Sequence, residues 1–295
     1  MRIWAILAAA GALGMAIRPL ARRRAVTGIV RVARVVRDEA RAEAFYRDVL
    51  GFRTIRREVV PGDFLAALGA PGASATQVIM RLGAQEIALV EFARVGRAAP
   101  AGARSCDLWF QHLAIVVSDM DAAYAHLRAQ GGWRAISVEG PVTLPASNGG
   151  VRAFKFRDPD DHPVELIWFP PGVGRDVWQA PAMGRVFLGI DHSALSVRSP
   201  ARSVRFYRGL GMGVASRSYN AGMAQSRLDA VRWARVHVTG LRVGDGMGVE
   251  LLGYRPPGRA LRGVRVEDLV TDWVVFAGVG KGVLRDPDGH LVVFE

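Results

Sequence analysis

Two stretches of this chain superimpose almost residue for residue, and that repeat constrains the fold more than any single motif. Arg34-Val-Val-Arg-Asp-Glu-Ala-Arg-Ala-Glu-Ala-Phe-Tyr-Arg-Asp-Val-Leu-Gly-Phe52 matches Leu195-Ser-Val-Arg-Ser-Pro-Ala-Arg-Ser-Val-Arg-Phe-Tyr-Arg-Gly-Leu-Gly-Met212, with one residue fewer in the second. Each copy opens with alternating apolar residues, the pattern of a half-buried strand, and then shifts to a helical spacing that stops at Leu-Gly. A third copy runs from His112 through Asp119 to Leu127. Downstream, Phe156-Arg-Asp-Pro-Asp-Asp-His162-Pro-Val-Glu165 pairs with Leu284-Arg-Asp-Pro-Asp-Gly-His290-Leu-Val-Val293, each a turn between two strands.

Four units follow, near residues 27–93, 109–169, 187–254 and 255–295, with a Pro/Gly-rich linker from Pro170 to Arg185. Units one and three share a short helical insert (Phe64 to Leu68; Gln225 to Val231), and units two and four share the Asp-Pro-Asp turn. A two-unit block has been doubled. The fourth unit is degenerate, with recognisable terminal strands but no copy of the Phe-Tyr helix. The expected organisation is an extension over 1–25, a first domain over 26–169, the linker over 170–185 and a second domain over 186–295.

The length of 295 residues allows two such domains, and 50% hydrophobic residues supply their cores. The formal charge of +12 is carried almost wholly by arginine, Lys155 and Lys281 being the two lysines. Five arginines (Arg2, Arg18, Arg22, Arg23, Arg24) fall in the first 24 residues, which leaves 12 − 5 = +7 spread thinly over the rest. No dense basic stripe with interleaved aromatics appears, so nucleic acid is not an expected partner, while an anionic small-molecule substrate is compatible. Cys106 is the single cysteine, which excludes an intramolecular disulfide and a cysteine-based metal site.

Near the N-terminus, Ile3 to Ile17 is an unbroken apolar or small run followed by a basic cluster. It is shorter than the roughly 20 residues of a spanning helix, and its dense charge follows the run, where a secretory signal would precede it. A loose membrane-surface anchor or an upstream start codon is the expected reading, with the fold beginning near Val26. A cytoplasmic monomer or homodimer is expected.

The Phe-Tyr helix ending in Leu-Gly, preceded by His-x-Ala-Leu-x-Val and followed by Asp-Pro-Asp-x-His and Val-Glu-Leu, resembles the glyoxalase/bleomycin-resistance/dioxygenase superfamily of vicinal-oxygen-chelate proteins over roughly residues 27–295. That resemblance implies an α+β fold in which tandem βαβββ units form two cup-shaped modules. It also implies metal ligands at two positions of a unit, one on the first strand and one on the last. Counting 14 residues back from the Phe of the Phe-Tyr pair gives Arg31 and His192, and seven back from Asp38 and Asp119 gives Arg31 and His112. The last-strand position carries Ala88, Glu165, Glu250 and Val293 in the four units. His and Glu are thus kept together in units two and three and lost together in unit one. Unrelated core or surface residues have no reason to do that.

One unit supplies too few ligands for zinc, nickel, manganese, cobalt or iron, so two units must meet. Pairing one with two and three with four gives two half-sites. Pairing two with three and one with four gives a single complete site of His112, Glu165, His192 and Glu250 and a second cup stripped of ligands. The second is expected, as in the four-unit glyoxalases that the chain resembles, and it requires the His112 and His192 rings to lie within roughly 5 Å, each metal–nitrogen bond being about 2 Å.

A two-His, two-carboxylate set resembles the metal-dependent lyases and epimerases of the superfamily. The implied chemistry is proton transfer on a small oxygen-chelating substrate, with Glu165 or Glu250 as the base. A ring-cleaving extradiol-type dioxygenase and a metal-free binding or resistance protein are the alternatives. Asn148, Lys155, Arg217, Asn220, Gln225, Arg227 and His237 are the candidate substrate contacts. Structural roles are expected for His162 and His290 at turn ends and for His126 on a helix, and the aromatic walls Trp109, Trp168 and Trp233 are expected to pack in cores.

Overall fold

The computed structural model describes residues 25–278 and 280–295. The expected extension over 1–25 falls, but for Ala25, outside the described residues. Among those residues no helix is long and apolar enough to cross a membrane.

Unit one runs β1 (Gly28–Val36), α1 (Glu39–Asp48), β2 (Arg53–Val59), α2 (Gly62–Ala67), β3 (Ala75–Leu82) and β4 (Gln85–Phe92). Unit two follows as β5 (Gln111–Val117), α3 (Met120–Ala129), two short strands β6 (Arg134–Ala135) and β7 (Val142–Thr143), then β8 (Arg152–Arg157) and β9 (Pro163–Trp168). The linker holds one turn of helix, α4 (Asp176–Gln179). Unit three is β10 (Phe187–Ser196), α5 (Pro200–Gly209), β11 (Gly213–Ala221), α6 (Gly222–Asp229), β12 (Arg235–Arg242) and β13 (Gly248–Tyr254). Unit four keeps only β14 (Asp272–Ala277), β15 (Gly282–Arg285) and β16 (Leu291–Phe294). Two of the repeated helices are capped by aspartate: Asp38 accepts from the Arg41 N–H, and Asp119 from those of Asp121 and Ala122.

These strands form two open mixed sheets, ordered β15-β16-β14-β1-β4-β3-β2 and β11-β12-β13-β10-β5-β9-β8-β6. Unit one therefore pairs with unit four and unit two with unit three. The joins are antiparallel, β1 on β14 and β5 on β10. The linker divides the sequence but not the sheets, since each half of the chain sends one unit to each.

Strand alternation gives every central strand two buried faces. Leu113, Ile115, Leu166, Val249, Leu251, Val32 and Val274 point into one large core shared with the helices. The opposite, concave faces differ between sheets. In the sheet of units one and four, Ala33, Val35, Ala88, Trp273, Val275 and Val293 pack with Leu65, Leu68, Val266 and Leu269. That cup is filled. The opening strands were expected to be half-buried; β5 is buried along its whole length because one face enters the shared core and Ile167, Trp178 and Leu188 pack on Ala114 and Val116 of the other.

Units from the same half of the chain touch through their turns instead. Tyr46 donates to Asp158 Oδ2 at 2.9 Å, while Asp158 Oδ1 caps the turn by accepting the Asp160 and His162 N–H groups. His162 Nε2 lies 2.7 Å from the Val35 carbonyl. The same lock recurs between units three and four, where Tyr207 faces Asp286, and His290 Nε2 is 3.1 Å from the Ser196 carbonyl. Both histidines take the structural role expected of them. Fully buried Arg34 extends the first lock by donating to Asp272, Tyr46 and the Pro163 carbonyl.

His162 has an acceptor beside each ring nitrogen, Nε2 at the Val35 carbonyl and Nδ1 2.9 Å from Asp272 Oδ1, surroundings that favour the imidazolium. Burial opposes that charge, but Asp272 and Asp158 hold its pKa up to about 9. A pKa raised above the unfolded value of about 6.5 gives stabilisation that is complete below the unfolded pKa and lost as pH rises through the folded one. Urea unfolding should therefore show stability falling by roughly 2–3 kcal/mol between about pH 6.5 and pH 9. The His162→Asn protein should lack that slope. A wild-type profile equally flat over the window would refute the ion pair.

Candidate metal centre

The register of three strand pairs builds the site. On β5 and its parallel neighbour β9, Ala114 stands opposite Glu165; on β10 and β13, Ala194 stands opposite Glu250. His112 and His192 each precede that alanine by two residues and so share its face. The antiparallel join then sets His192 beside Ala114 and Ala194 beside His112. Two histidines and two glutamates surround a floor of two small side chains.

The ring centroids of His112 and His192 are 5.7 Å apart, close to the expected spacing. Glu165 lies between them, its Oε2 being 3.1 Å from His112 Nε2 and 3.8 Å from His192 Nε2. One ligand atom from each of these three residues falls within 4.8 Å of the others. Glu250 stands outside this trio, with Oε1 3.6 Å from His192 Nε2. Its side chain is 23% exposed, against 7% for Glu165.

The donor set fits a divalent ion. Both His112 Nε2 and His192 Nε2 are buried without a hydrogen-bond partner, an arrangement that costs free energy unless something accepts the lone pair. Ligands sharing an ion at about 2.0–2.2 Å each stand roughly 3–4 Å apart, as these do. At His112 and Glu165 the protonation states agree; His192, without an ion, is held as a cation by the surrounding carboxylates. Burial lowers His112 to about 4, leaving the neutral imidazole that a metal needs. Burial would raise Glu165, but Lys155, His112 and His192 hold it down at about 2. Burial would lower His192, which Glu250, Asp191 and Glu165 instead raise to about 9. Glu250 is raised, by burial first and then by the Glu165 charge, against the opposing pull of His192.

A cavity of about 540 Å³ opens over Glu165, His192 and Glu250. Of the expected substrate contacts, Asn148, Lys155, Arg217, Asn220 and Gln225 line it. Lys155 is not free to hold a substrate anion, since its Nζ lies 2.7 Å from Asp229 and 3.8 Å from Glu165, and it serves to neutralise those carboxylates. Gln225 donates to Asp229 at 2.6 Å, and Asn148 donates to Asn220 at 2.6 Å, so the amides form one buried chain along the wall.

Two expected contacts lie elsewhere. Arg227 sits on the far side of α6 and pairs with Glu139 at 2.8 Å, while Gln225 and Leu228 take the cavity side. His237 points off the opposite face of β12 and packs on Tyr219, leaving Val238 to face the cavity. Among the aromatics, Phe169 lines the cavity; Trp109 borders a separate one of about 300 Å³, and Trp233 is exposed.

Sequence reasoning missed Asp191. Its Oδ2 lies 3.0 Å from His192 Nδ1, and its Oδ1 accepts from Trp178 Nε1 of α4 at 2.6 Å. The linker thus reaches back to brace Asp191 against the His192 ring, a contact signalled in the sequence only by the Asp-His dipeptide.

Residues 28–166 match the family model of the Glyoxalase/Bleomycin resistance protein/Dioxygenase superfamily. Glyoxalase I from Zea mays superimposes with a TM-score of 0.57 at 17% identity, covering 90% of this chain and 91% of that one. A point mutant of the same enzyme gives a TM-score of 0.58 at 16% identity, covering 90% and 91%. A provisionally named dioxygenase from Bacillus subtilis gives 0.55 at 13% identity, covering 92% and 85%. At these identities the likeness is one of fold. No curated protein sequence matches the chain.

Removing Asp191 should weaken the centre without removing a ligand. The Asp191→Ala protein is expected to bind zinc or nickel about 10- to 100-fold more weakly than wild type in competition with a chromophoric chelator. The His112→Ala protein should lose stoichiometric binding altogether. Unchanged affinity in both would leave the trio as a structural hydrogen-bonding cluster.

Proposed function

We propose that this chain, which residues 28–166 place in the Glyoxalase/Bleomycin resistance protein/Dioxygenase superfamily, is a metal-dependent glyoxalase-like enzyme that moves a proton on a small substrate bearing two adjacent oxygens. The observation that carries this reading is the division of labour between the two glutamates. Glu165 lies between both histidines and is neutralised by Lys155, as befits a ligand. Glu250 touches only one of those histidines and faces the cavity, as befits a base.

A divalent metal held by His112, Glu165 and His192 would supply Lewis-acid polarisation of the substrate oxygens. The chain's own groups do the rest. Glu250 takes the proton from the carbon beside those oxygens and returns it to the same carbon or its neighbour, so no oxidant or reductant is needed. Its raised pKa brings it toward the range in which a carboxylate can both accept and release that proton. Asn148, Asn220 and Gln225 orient the substrate, and Phe169 narrows access for water.

A second reading has its own support. His112, Glu165 and His192 converge without Glu250, and two histidines with one carboxylate are the ligand set of non-haem iron oxygenases.

Metal-loaded protein should catalyse solvent deuterium incorporation into members of a panel of 2-hydroxyaldehydes and 2-hydroxyketones, followed by proton NMR. Glu250→Gln should lower the exchange rate by about 10²–10⁴-fold with metal content unchanged. Glu165→Gln should lose metal and activity together. Oxygen uptake with catechols by the iron-loaded, anaerobically prepared protein would move the assignment to ring cleavage.

A further inference from the structure

The wall of the cavity beside His192 carries more positive charge than the protein neutralises. Arg175, from the linker, and Arg242, from β12, both reach for the single carboxylate of Asp191, at 3.9 Å and 3.4 Å. That carboxylate is already engaged by His192 and by the Trp178 indole. Arg175 Nη1 is buried and has no hydrogen-bond partner at all. Arg217, an exposed residue on β11 that lines the same cavity, has no acidic partner among the described residues. Two guanidinium groups therefore border the cavity with one shared carboxylate, and a third borders it with none.

The crowding shows in the arginines themselves. Burial first, and then the neighbouring charge of Arg242, lower the pKa of Arg175. A buried guanidinium N–H left without an acceptor is costly, and a polar group left without its partner is characteristic of a site that completes itself with ligand. The position is also fixed rather than floppy. The Arg175 guanidinium lies over the Trp178 ring at 5.4 Å and donates to the Asp245 carbonyl, while Arg242 donates to the Gly246 carbonyl at 2.8 Å.

We propose that Arg175 and Arg217, with Arg242 behind them, form an anion subsite that selects substrates carrying a carboxylate. The inference rests on the reading of this cavity as the substrate site but not on the identity of the metal. A carboxylate is favoured over a doubly charged phosphate group because Asp191 already offsets one of the three arginines and shields a second. A planar, singly charged acceptor also matches the fork of a guanidinium. The linker then has a function beyond connection, since it brings both Trp178, which orders the ligand His192 through Asp191, and Arg175, which binds the substrate's charged end.

The test is calorimetric titration of malonate, and separately of inorganic phosphate, into the full-length metal-loaded protein. Malonate should bind the wild type, and Arg175→Met and Arg217→Met should each weaken it by about 10-fold or more with metal content unchanged. Arg217 sits on an exposed strand position, so its variant reports even if Arg175→Met proves unstable. Arg227→Met, which removes an arginine outside the cavity, should bind malonate as wild type does. Unchanged malonate affinity in both cavity variants, or no binding to the wild type at millimolar concentration, overturns the subsite. Phosphate binding more tightly than malonate with the same arginine dependence overturns the choice of a carboxylate. The His192→Ala protein separates this inference from the metal reading. Arginine-dependent malonate binding that survives there supports the subsite even if the metal reading fails, and binding that depends on His192 but on neither arginine places malonate at the metal and refutes the subsite.

Discussion

The antiparallel join of β5 and β10 decides what this protein can do. It sets Ala194 beside His112 and His192 beside Ala114, and so brings the candidate ligands from opposite halves of the sequence onto one face. A slip of one residue would turn one histidine into the helical core and leave the other with a single glutamate, because side chains alternate along a strand. The register is secured from the other face of the same strands, where Leu113, Ile115 and Leu195 are wholly enclosed by the shared core. Packing on one side of the sheet thus fixes chemistry on the other.

A doubled block folds this way because its two kinds of contact differ. Units from opposite halves meet as strands, whereas units from the same half meet through the Asp-Pro-Asp-x-His turn, which docks on the Phe-Tyr helix and the end of the first strand of its neighbour. Tyr46, Asp158 and His162 make that contact once, and Tyr207, Asp286 and His290 make it again. The motif that announces the family in the sequence is therefore a joint between sheets and not a part of the site. Its buried hydroxyls, carboxylates and rings leave few polar groups unmet, which is how such a joint can lie between two cores.

Much of this was legible in the sequence, for a physical reason. A repeat fixes periodicity, and the joint presence of His and Glu in units two and three, with their joint loss in unit one, implies which units must meet; both follow from the chain order alone. What escaped notice depends on three-dimensional return of the chain. Trp178 and Arg175 reach Asp191 beside the centre because the linker folds back over the cavity, and a Pro/Gly-rich segment gives no periodic signal of where it will lie. Arg227 and His237 were placed in the site by proximity in sequence, and they miss it because helix and strand alternation turns them outward while Gln225 and Val238 turn in.

The second cup shows what the site costs. In the sheet of units one and four the positions equivalent to His192, Glu250, His112 and Glu165, in matching register, are Arg31, Ala88, Trp273 and Val293. Arg31 is turned to Glu295 at the rim, and the other three join a packed apolar cluster. The cup of units two and three holds His112, Lys155, Glu165, His192 and Glu250 where that cluster would be, and burying charges in place of hydrocarbon surrenders stabilisation even when each is paired. One block of the duplication carries apolar packing and the other carries ionisable groups around a cavity. Because both sheets share a single helical core, the filled cup helps to hold the shape of the one that keeps a cavity.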